Sequence, residues 1–114
     1  MPETSELTEA VGRLADRLRA APQSRLQRGA AAEGLTLARE LALRAQRLEA
    51  PEAAPRTMPD AGIFAVADQL TVAGTDFAEA WRAARGRGEG EDALRTELES
   101  AVRLVREAAA RAGL

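Results

Sequence analysis

The sequence predicts an all-α protein, an antiparallel up-down four-helix bundle with a Pro-rich linker between helices 2 and 3. Four segments place apolar residues three and four positions apart, as amphipathic helices do, and no segment alternates apolar and polar residues like a half-buried strand. Prolines or closely spaced glycines separate these segments. A chain of 114 residues can bury a core of its own, so we expect residues 1–114 to form a single domain.

Helix 1 is predicted over about 5–21. Thr4 or Ser5 can cap its first turn, and Pro22 ends it because proline cannot continue a helix. A narrow apolar seam along this helix consists of Leu7, Val11, Leu14 and Leu18.

Helix 2 is predicted over about 24–49, and Ser24 with Gln27 forms a capping box at its start. Its apolar side is wide enough to touch two neighbouring helices, with a centre formed by Leu26, Ala30, Gly34, Leu37, Leu41, Ala45 and Leu48 and a flank formed by Ala31, Leu35, Ala38 and Ala42. Gly34 lies on this side, where the absence of a side chain allows another helix to come close. Gly29 faces outward, and either sequence drift or a local bend accounts for it.

The segment APEAAPRTMP, residues 50–59, carries three prolines and is predicted to be an extended linker across the end of the bundle. Helix 3 follows over about 61–85, with Asp60 as its cap and Gly86 in a left-handed conformation at its end. Its apolar stripe contains Ile63, Val66, Ala67, Leu70, Ala73, Gly74, Phe77, Ala80, Trp81 and Ala84. Together with Gly34, Gly74 predicts a close crossing of helices 2 and 3.

Helix 4 is predicted over about 92–112, with Asp92 as its cap and Gly113 after its last turn. It repeats the narrow seam of helix 1, here formed by Leu94, Leu98, Ala101, Val105, Ala108 and Ala112. Short connections predict that helices 1 and 2, and helices 3 and 4, form antiparallel hairpins.

The composition excludes several classes of function. The chain has neither Cys nor His, which excludes disulfides, thiol nucleophiles, zinc hydrolase sites and serine–histidine triads. We therefore predict no catalytic residue, no metal site and no cofactor. All 16 basic residues are Arg and are interleaved with 18 acidic residues, giving a net charge of -2.

An all-arginine set of basic residues has two interpretations. Arginine is suited to anion and nucleic-acid recognition, but nucleic-acid binders usually cluster a basic excess, so we predict no nucleic-acid partner. The absence of Lys, Asn and Tyr beside abundant Ala is instead typical of a GC-rich bacterial genome. No apolar run approaches the ~20 residues that cross a membrane, and the first ten residues lack the pattern of a secretion signal, so we expect a cytoplasmic protein without membrane contact.

A polar strip on one flank of helix 3 is the first candidate site. It is formed by Phe64, Asp68, Thr71 and Thr75, and a carboxylate, two hydroxyls and an aromatic ring could bind a small polar ligand. The alternative is a solvated flank on which a threonine hydroxyl bonds back to the preceding helical turn.

Apolar residues outside the predicted stripes are the second candidate. Phe64 and Val72 point away from the stripe of helix 3, as Leu43 and Leu104 do from those of helices 2 and 4, and such residues can form a partner surface. Trp81 can be an interaction anchor, but its place on the stripe favours core packing.

These observations predict a non-enzymatic helical module that acts through protein–protein interaction, as a regulatory or accessory subunit. Its partner is a different protein or, in a homodimer, a second copy of the chain. The binding residues are predicted to be Phe64, Asp68, Thr71, Val72 and Thr75. The alternative is a small-molecule-binding bundle that uses the polar strip of helix 3, either as a binding protein or as an enzyme that works by carboxylate and arginine electrostatics alone.

Overall fold

The computed structural model describes residues 2–114, and side chains from residue 3 onward. Helix 1 is Pro2–Ala20 and helix 3 is Val66–Gly86. Helix 4 is Glu91–Ala112. Helix 2 consists of Gln23–Arg25, a π-helical turn Leu26–Ala30 and Ala31–Glu49. The part of the chain described contains no strand and no helix long and apolar enough to cross a membrane, and the predicted all-α bundle is confirmed.

The helices pack in an order that differs from their order along the chain. Helix 3 packs most extensively against helix 2 and then against helix 1, and helix 4 packs against the same two helices. Helices 1 and 2 make few contacts with each other, and so do helices 3 and 4. Helices 1 and 2, and likewise helices 3 and 4, therefore lie diagonally across the bundle rather than side by side as hairpins.

The linker runs back along helix 2 instead of crossing the end of the bundle. The Gln46 side chain accepts a hydrogen bond from the Arg56 backbone N–H at 2.7 Å and donates one to the Arg56 carbonyl at 2.9 Å. Further along, Arg39 Nε donates to the carbonyl of Met58 at 2.8 Å. Two side chains of helix 2 thus fix the course of the linker.

This course sets the direction of helix 3. The helix begins with Val66 beside Gly34, and just beyond its other end Arg87 donates to the Leu48 carbonyl at 3.0 Å. Helices 2 and 3 therefore run parallel, whereas consecutive helices of a simple up-down bundle alternate in direction. The physical reason is the length of the linker, which returns the chain to the end of the bundle where helix 2 began.

One core joins all four helices. Phe77, Leu70 and Leu41 are fully buried, and Trp81 is 4% exposed. The indole N–H of Trp81 donates to the Leu94 carbonyl of helix 4 at 2.7 Å, which satisfies the buried polar group. Trp81 is therefore a core residue, as its position on the stripe favours.

Two buried glycines mark close contacts between helices. A Cβ added at Gly34 would lie 2.7 Å from Val66 Cγ1 and 3.0 Å from Leu18 Cδ1. At Gly74 the added atom would lie 2.9 Å from Val11 Cγ1. Gly34 thus marks the approach of helix 3, as predicted, but Gly74 marks that of helix 1 rather than helix 2.

The N-terminal boundaries and caps of the helices differ most from the prediction. Helix 3 begins at Val66, because the Asp60 carboxylate accepts a hydrogen bond from the Gly62 N–H at 2.8 Å and closes a turn instead of capping the helix. No side chain caps helix 2 or helix 4, whose N-cap residues are Pro22 and Gly90. Thr4 is buried inside helix 1, where its hydroxyl accepts a hydrogen bond from Arg82 at 2.9 Å.

The backbone angles of the glycines show where helix 2 bends and where helices 3 and 4 end. Gly29 has φ 140° inside the π-helical turn, so the local bend is the correct interpretation of this residue. Gly113 is left-handed after helix 4, as predicted. After helix 3 the positive φ occurs at Gly88, not Gly86, which is the last helical residue.

Candidate functional site

The outer face of helix 3 carries the exposed apolar residues. Phe64 is 73% exposed and Val72 is 56% exposed, the two large hydrophobic side chains most open to solvent in the part of the chain described. Phe64 lies in the turn before helix 3, two helical turns ahead of Val72. We call the surface formed by Phe64, Asp68, Thr71, Val72 and Thr75 the helix 3 face.

Arg19 of helix 1 binds the polar residues of this face. Its guanidinium donates to Asp68 Oδ1 at 2.9 Å and also contacts Asp16 at 3.2 Å. The bond to Asp68 is the main reason why the pKa of Arg19 is raised. The Asp68 side chain nevertheless stays 80% exposed. Thr71 donates back to the Ala67 carbonyl at 3.0 Å, which is the contact expected of a solvated flank.

The structure places the five predicted residues on one side of the molecule without enclosing them. Residues 68, 71, 72 and 75 are all exposed and share one side of helix 3. A cavity of about 150 Å³ adjoins Phe64, and its walls also contain Leu18, Arg19, Ala21, Leu26, Ile63 and Ala67. Asp68, Thr71, Val72 and Thr75 lie outside this cavity, so the face is a surface for contact more than a pocket.

A cleft of about 360 Å³ lies between the start of helix 1, the end of helix 3 and the start of helix 4. Its floor is apolar and its rim charged, and it is lined by Glu3, Glu6, Trp81, Arg85, Glu91, Leu94, Arg95, Leu98, Glu99 and Val102. We call it the acidic cleft. Sequence reasoning missed it because three distant segments contribute its residues.

Ion pairs between helices engage much of the rim of the acidic cleft. Glu3 pairs with Arg85, and Glu6 pairs with Arg106. A hydrogen bond from the backbone at Glu3, and then the Arg85 guanidinium, lowers the pKa of the Glu3 carboxyl. Within residues 2–114 no group of three acidic side chains is placed to hold a metal ion. These charges therefore join helices 3 and 4 to the start of helix 1.

A larger groove, of about 660 Å³, lies between helix 2, helix 4 and the linker. It is lined by Thr36, Leu37, Arg39, Glu40, Leu43, Arg47, Pro55, Arg56, Thr57, Leu104, Ala108 and Arg111. We call it the arginine groove. Leu43 and Leu104, predicted from their off-stripe positions to form a partner surface, are half-buried here and form its apolar lining.

The four arginines of the groove differ in their partners. Arg39 donates to the linker backbone, and Arg111 contacts Glu33 at 2.8 Å, which raises the pKa of Arg111. The guanidinium groups of Arg47 and Arg56 make no ion pair or hydrogen bond with any other residue from 3 to 114.

The surfaces offer binding chemistry of three kinds: an exposed apolar face, a cleft whose charges pair across helices, and a groove with two arginines whose guanidinium groups are unbonded. The Glu40 carboxylate, also in the groove, is engaged by Arg44 at 2.8 Å and so does not neutralise the cations. A scan of family models and searches of curated proteins and of solved structures found no match to this chain.

Proposed function

We propose that the protein is a non-enzymatic interaction module, a regulatory or accessory subunit whose protein partner binds the helix 3 face. The exposure of Phe64 and Val72 on one side of the bundle is the observation that carries the proposal. A buried Phe or Val side chain is stabilised by about 1.5–3 kcal/mol relative to an exposed one. A partner that covers both residues gains this free energy on binding.

The polar residues of the face support its role as a binding surface. Arg19 holds the carboxylate of Asp68 between the two apolar side chains, and Thr71 is held by its own helix. Side chains that are already ordered lose less conformational entropy when a partner binds. The face therefore presents apolar anchors beside two polar side chains, Asp68 and Thr71, that already have hydrogen-bond partners.

The charge around the face favours a partner other than a second copy. Asp16 and Asp68 share Arg19, and Glu79 lies on the same side of helix 3 with its side chain exposed. A two-fold homodimer through this face would bring two copies of the same acidic patch together, which is repulsive. We therefore propose a different protein, with a basic rim around an apolar pocket, in the cytoplasm as the sequence predicts.

Site-specific photo-crosslinking tests this proposal. A photoreactive phenylalanine analogue replaces Phe64 or Val72, and Arg103 on the exposed side of helix 4 serves as the control position. In a lysate of the native cells, we expect positions 64 and 72 to capture the same protein and position 103 to capture none. The affinity of the purified partner should fall about tenfold or more in Phe64→Ala, because anchor residues dominate binding.

The matched variant Arg103→Ala should bind like the unchanged protein. Phe64→Ala should keep its free energy of unfolding within about 0.5 kcal/mol, since the removed side chain is exposed. Equal capture at all three positions, or a monomer that captures nothing stoichiometric, would contradict the proposal. Symmetric crosslinks between two copies at position 64 would indicate the homodimer instead.

The small-molecule alternative on the polar strip stays a prediction. It requires a concave site that shields Asp68 from water, whereas this side chain is exposed and paired with Arg19. We therefore base the proposed function on the apolar residues of the helix 3 face.

A further inference from the structure

We propose that the arginine groove binds a small amphiphilic anion that is free in solution, with its carboxylate or phosphate head between Arg47 and Arg56. Its apolar body would lie along the trough formed by Leu37, Leu43 and Leu104. This site is separate from the helix 3 face, and either proposal can fail without the other.

The groove has two distinct ends. Its floor on helix 2 extends from Thr36 to Arg47, which at 1.5 Å per residue is roughly 16 Å. Arg56 lies at the Arg47 end, because its backbone is bonded to the neighbouring Gln46. Arg111 marks the other end, since it pairs with Glu33. The two unpaired arginines therefore share one end of the trough.

The charges at that end are suited to an anionic head. The chain as a whole has a net charge of -2, yet the guanidinium groups of Arg47 and Arg56 make neither an ion pair nor a hydrogen bond with residues 3–114, whereas Arg39 and Arg111 are engaged by Met58 and Glu33. Guanidinium groups are planar forks that bind carboxylates and phosphates through paired hydrogen bonds. Two such groups at one end, rather than a basic track along the surface, indicate a compact anion and not a nucleic acid.

The rest of the trough is suited to an apolar chain. Leu37 and Ala108 are buried, and Leu43 and Leu104 are half-buried, so the apolar lining continues from helix 2 to helix 4. The linker, through Pro55 and Thr57, forms the opposite wall. A volume of about 660 Å³ lies within the range of small-molecule sites, which combine apolar walls with a few polar groups.

Calorimetric titration with four probes tests the site. The probes are decanoate, decyl phosphate, decanol and inorganic phosphate, each below the concentration at which it forms micelles and at about 150 mM salt, where screening is strong. We expect both decyl anions to bind about tenfold or more tightly than decanol or inorganic phosphate, because head and chain each contribute. The methyl NMR signals of Leu43 and Leu104 should shift with the decyl anions.

A pair of charge-matched variants isolates the head site. Arg47→Gln combined with Arg56→Gln should weaken decanoate binding about tenfold or more, because charged hydrogen bonds are lost. Arg13→Gln combined with Arg28→Gln removes the same charge from exposed arginines on helices 1 and 2, and should leave binding unchanged. Equal weakening in both variants, equal binding of decanol, or no binding of either decyl anion would overturn the proposal.

Two further outcomes would assign the groove to another occupant and overturn the proposal. Cosedimentation with phosphatidate vesicles at concentrations where decyl phosphate does not bind would identify a bilayer as the source of the anion. Concentration-dependent self-association that Arg47→Gln with Arg56→Gln abolishes would place a second copy of the chain in the groove.

Discussion

The inner and outer sides of helix 3 differ in how far the sequence alone identifies their role. On the inner side Leu70, Phe77 and Ala84 are fully buried, and Trp81 bonds across to helix 4. On the outer side Phe64 and Val72 are exposed. The helical period of the sequence identifies the inner residues, because any partner helix must cover them. The role of the outer residues depends on what binds there, and no local pattern states that.

Of the substitutions that distinguish the inner from the outer side of helix 3, replacing Trp81 should lower stability most. Trp81→Ala should lower the free energy of unfolding by about 3–5 kcal/mol, because it empties the space between helices 3 and 4. Chemical denaturation measures this loss. Trp81→Phe keeps an aromatic ring but leaves the Leu94 carbonyl without its donor, and should cost about 1–3 kcal/mol. A loss below about 1 kcal/mol in Trp81→Ala would contradict its place in the core.

Adding one methyl group to the inner side of helix 3 should have an intermediate effect on stability. Gly74→Ala places a Cβ 2.9 Å from Val11, and strain of this kind costs about 1–3 kcal/mol, which exceeds the gain of about 1 kcal/mol in helix propensity. Gly12→Ala is the matched control, because no neighbouring atom lies within 4 Å of the added methyl. It should stabilise the protein by about 0.5–1 kcal/mol. Equal stabilisation by the two changes in thermal unfolding would show that helix 1 does not pack tightly on Gly74.

Changing the outer side should have the smallest effect on stability. Asp68→Ala removes an ion pair with Arg19 in which the carboxylate is 80% exposed, so the free energy of unfolding should change by less than about 0.5 kcal/mol. Asp92→Ala, which removes the exposed pair with Arg95, provides the comparison. A loss above about 1.5 kcal/mol for Asp68 alone would make this residue a structural link between helices 1 and 3.

The sequence predicts which segments are helical and which residues are buried better than it predicts where each helix begins and in which direction it runs. Periodicity identifies Leu70 and Phe77 as buried because it follows from helix geometry alone. The start of helix 3 was predicted too early, since an Asp such as Asp60 can equally cap a helix or close a turn onto Gly62. The direction of helix 3 depends on the bonds from Gln46 and Arg39 to the linker, which no pattern within the linker specifies.

The candidate binding surfaces likewise depend on packing that the sequence alone does not show. The exposed positions of Phe64 and Val72 follow from their place off the stripe. Leu43 and Leu104 are also off their stripes, but they meet in the arginine groove because helix 4 packs on helix 2. Arg47 and Arg56 carry no sign in the sequence that distinguishes them from the other 14 basic residues. Only the folded chain shows that both lie in one groove with neither guanidinium bonded to another residue from 3 to 114.

The linker that returns along helix 2 also divides the molecule into two interdependent halves. Every extensive helix–helix contact joins a helix before the linker to a helix after it, because helices 1 and 2 scarcely touch each other and neither do helices 3 and 4. During synthesis, the first two helices leave the ribosome before either has a surface to cover its apolar side. The core therefore assembles by bringing together residues far apart in the chain, and closing such long loops slows folding relative to bundles built from adjacent hairpins.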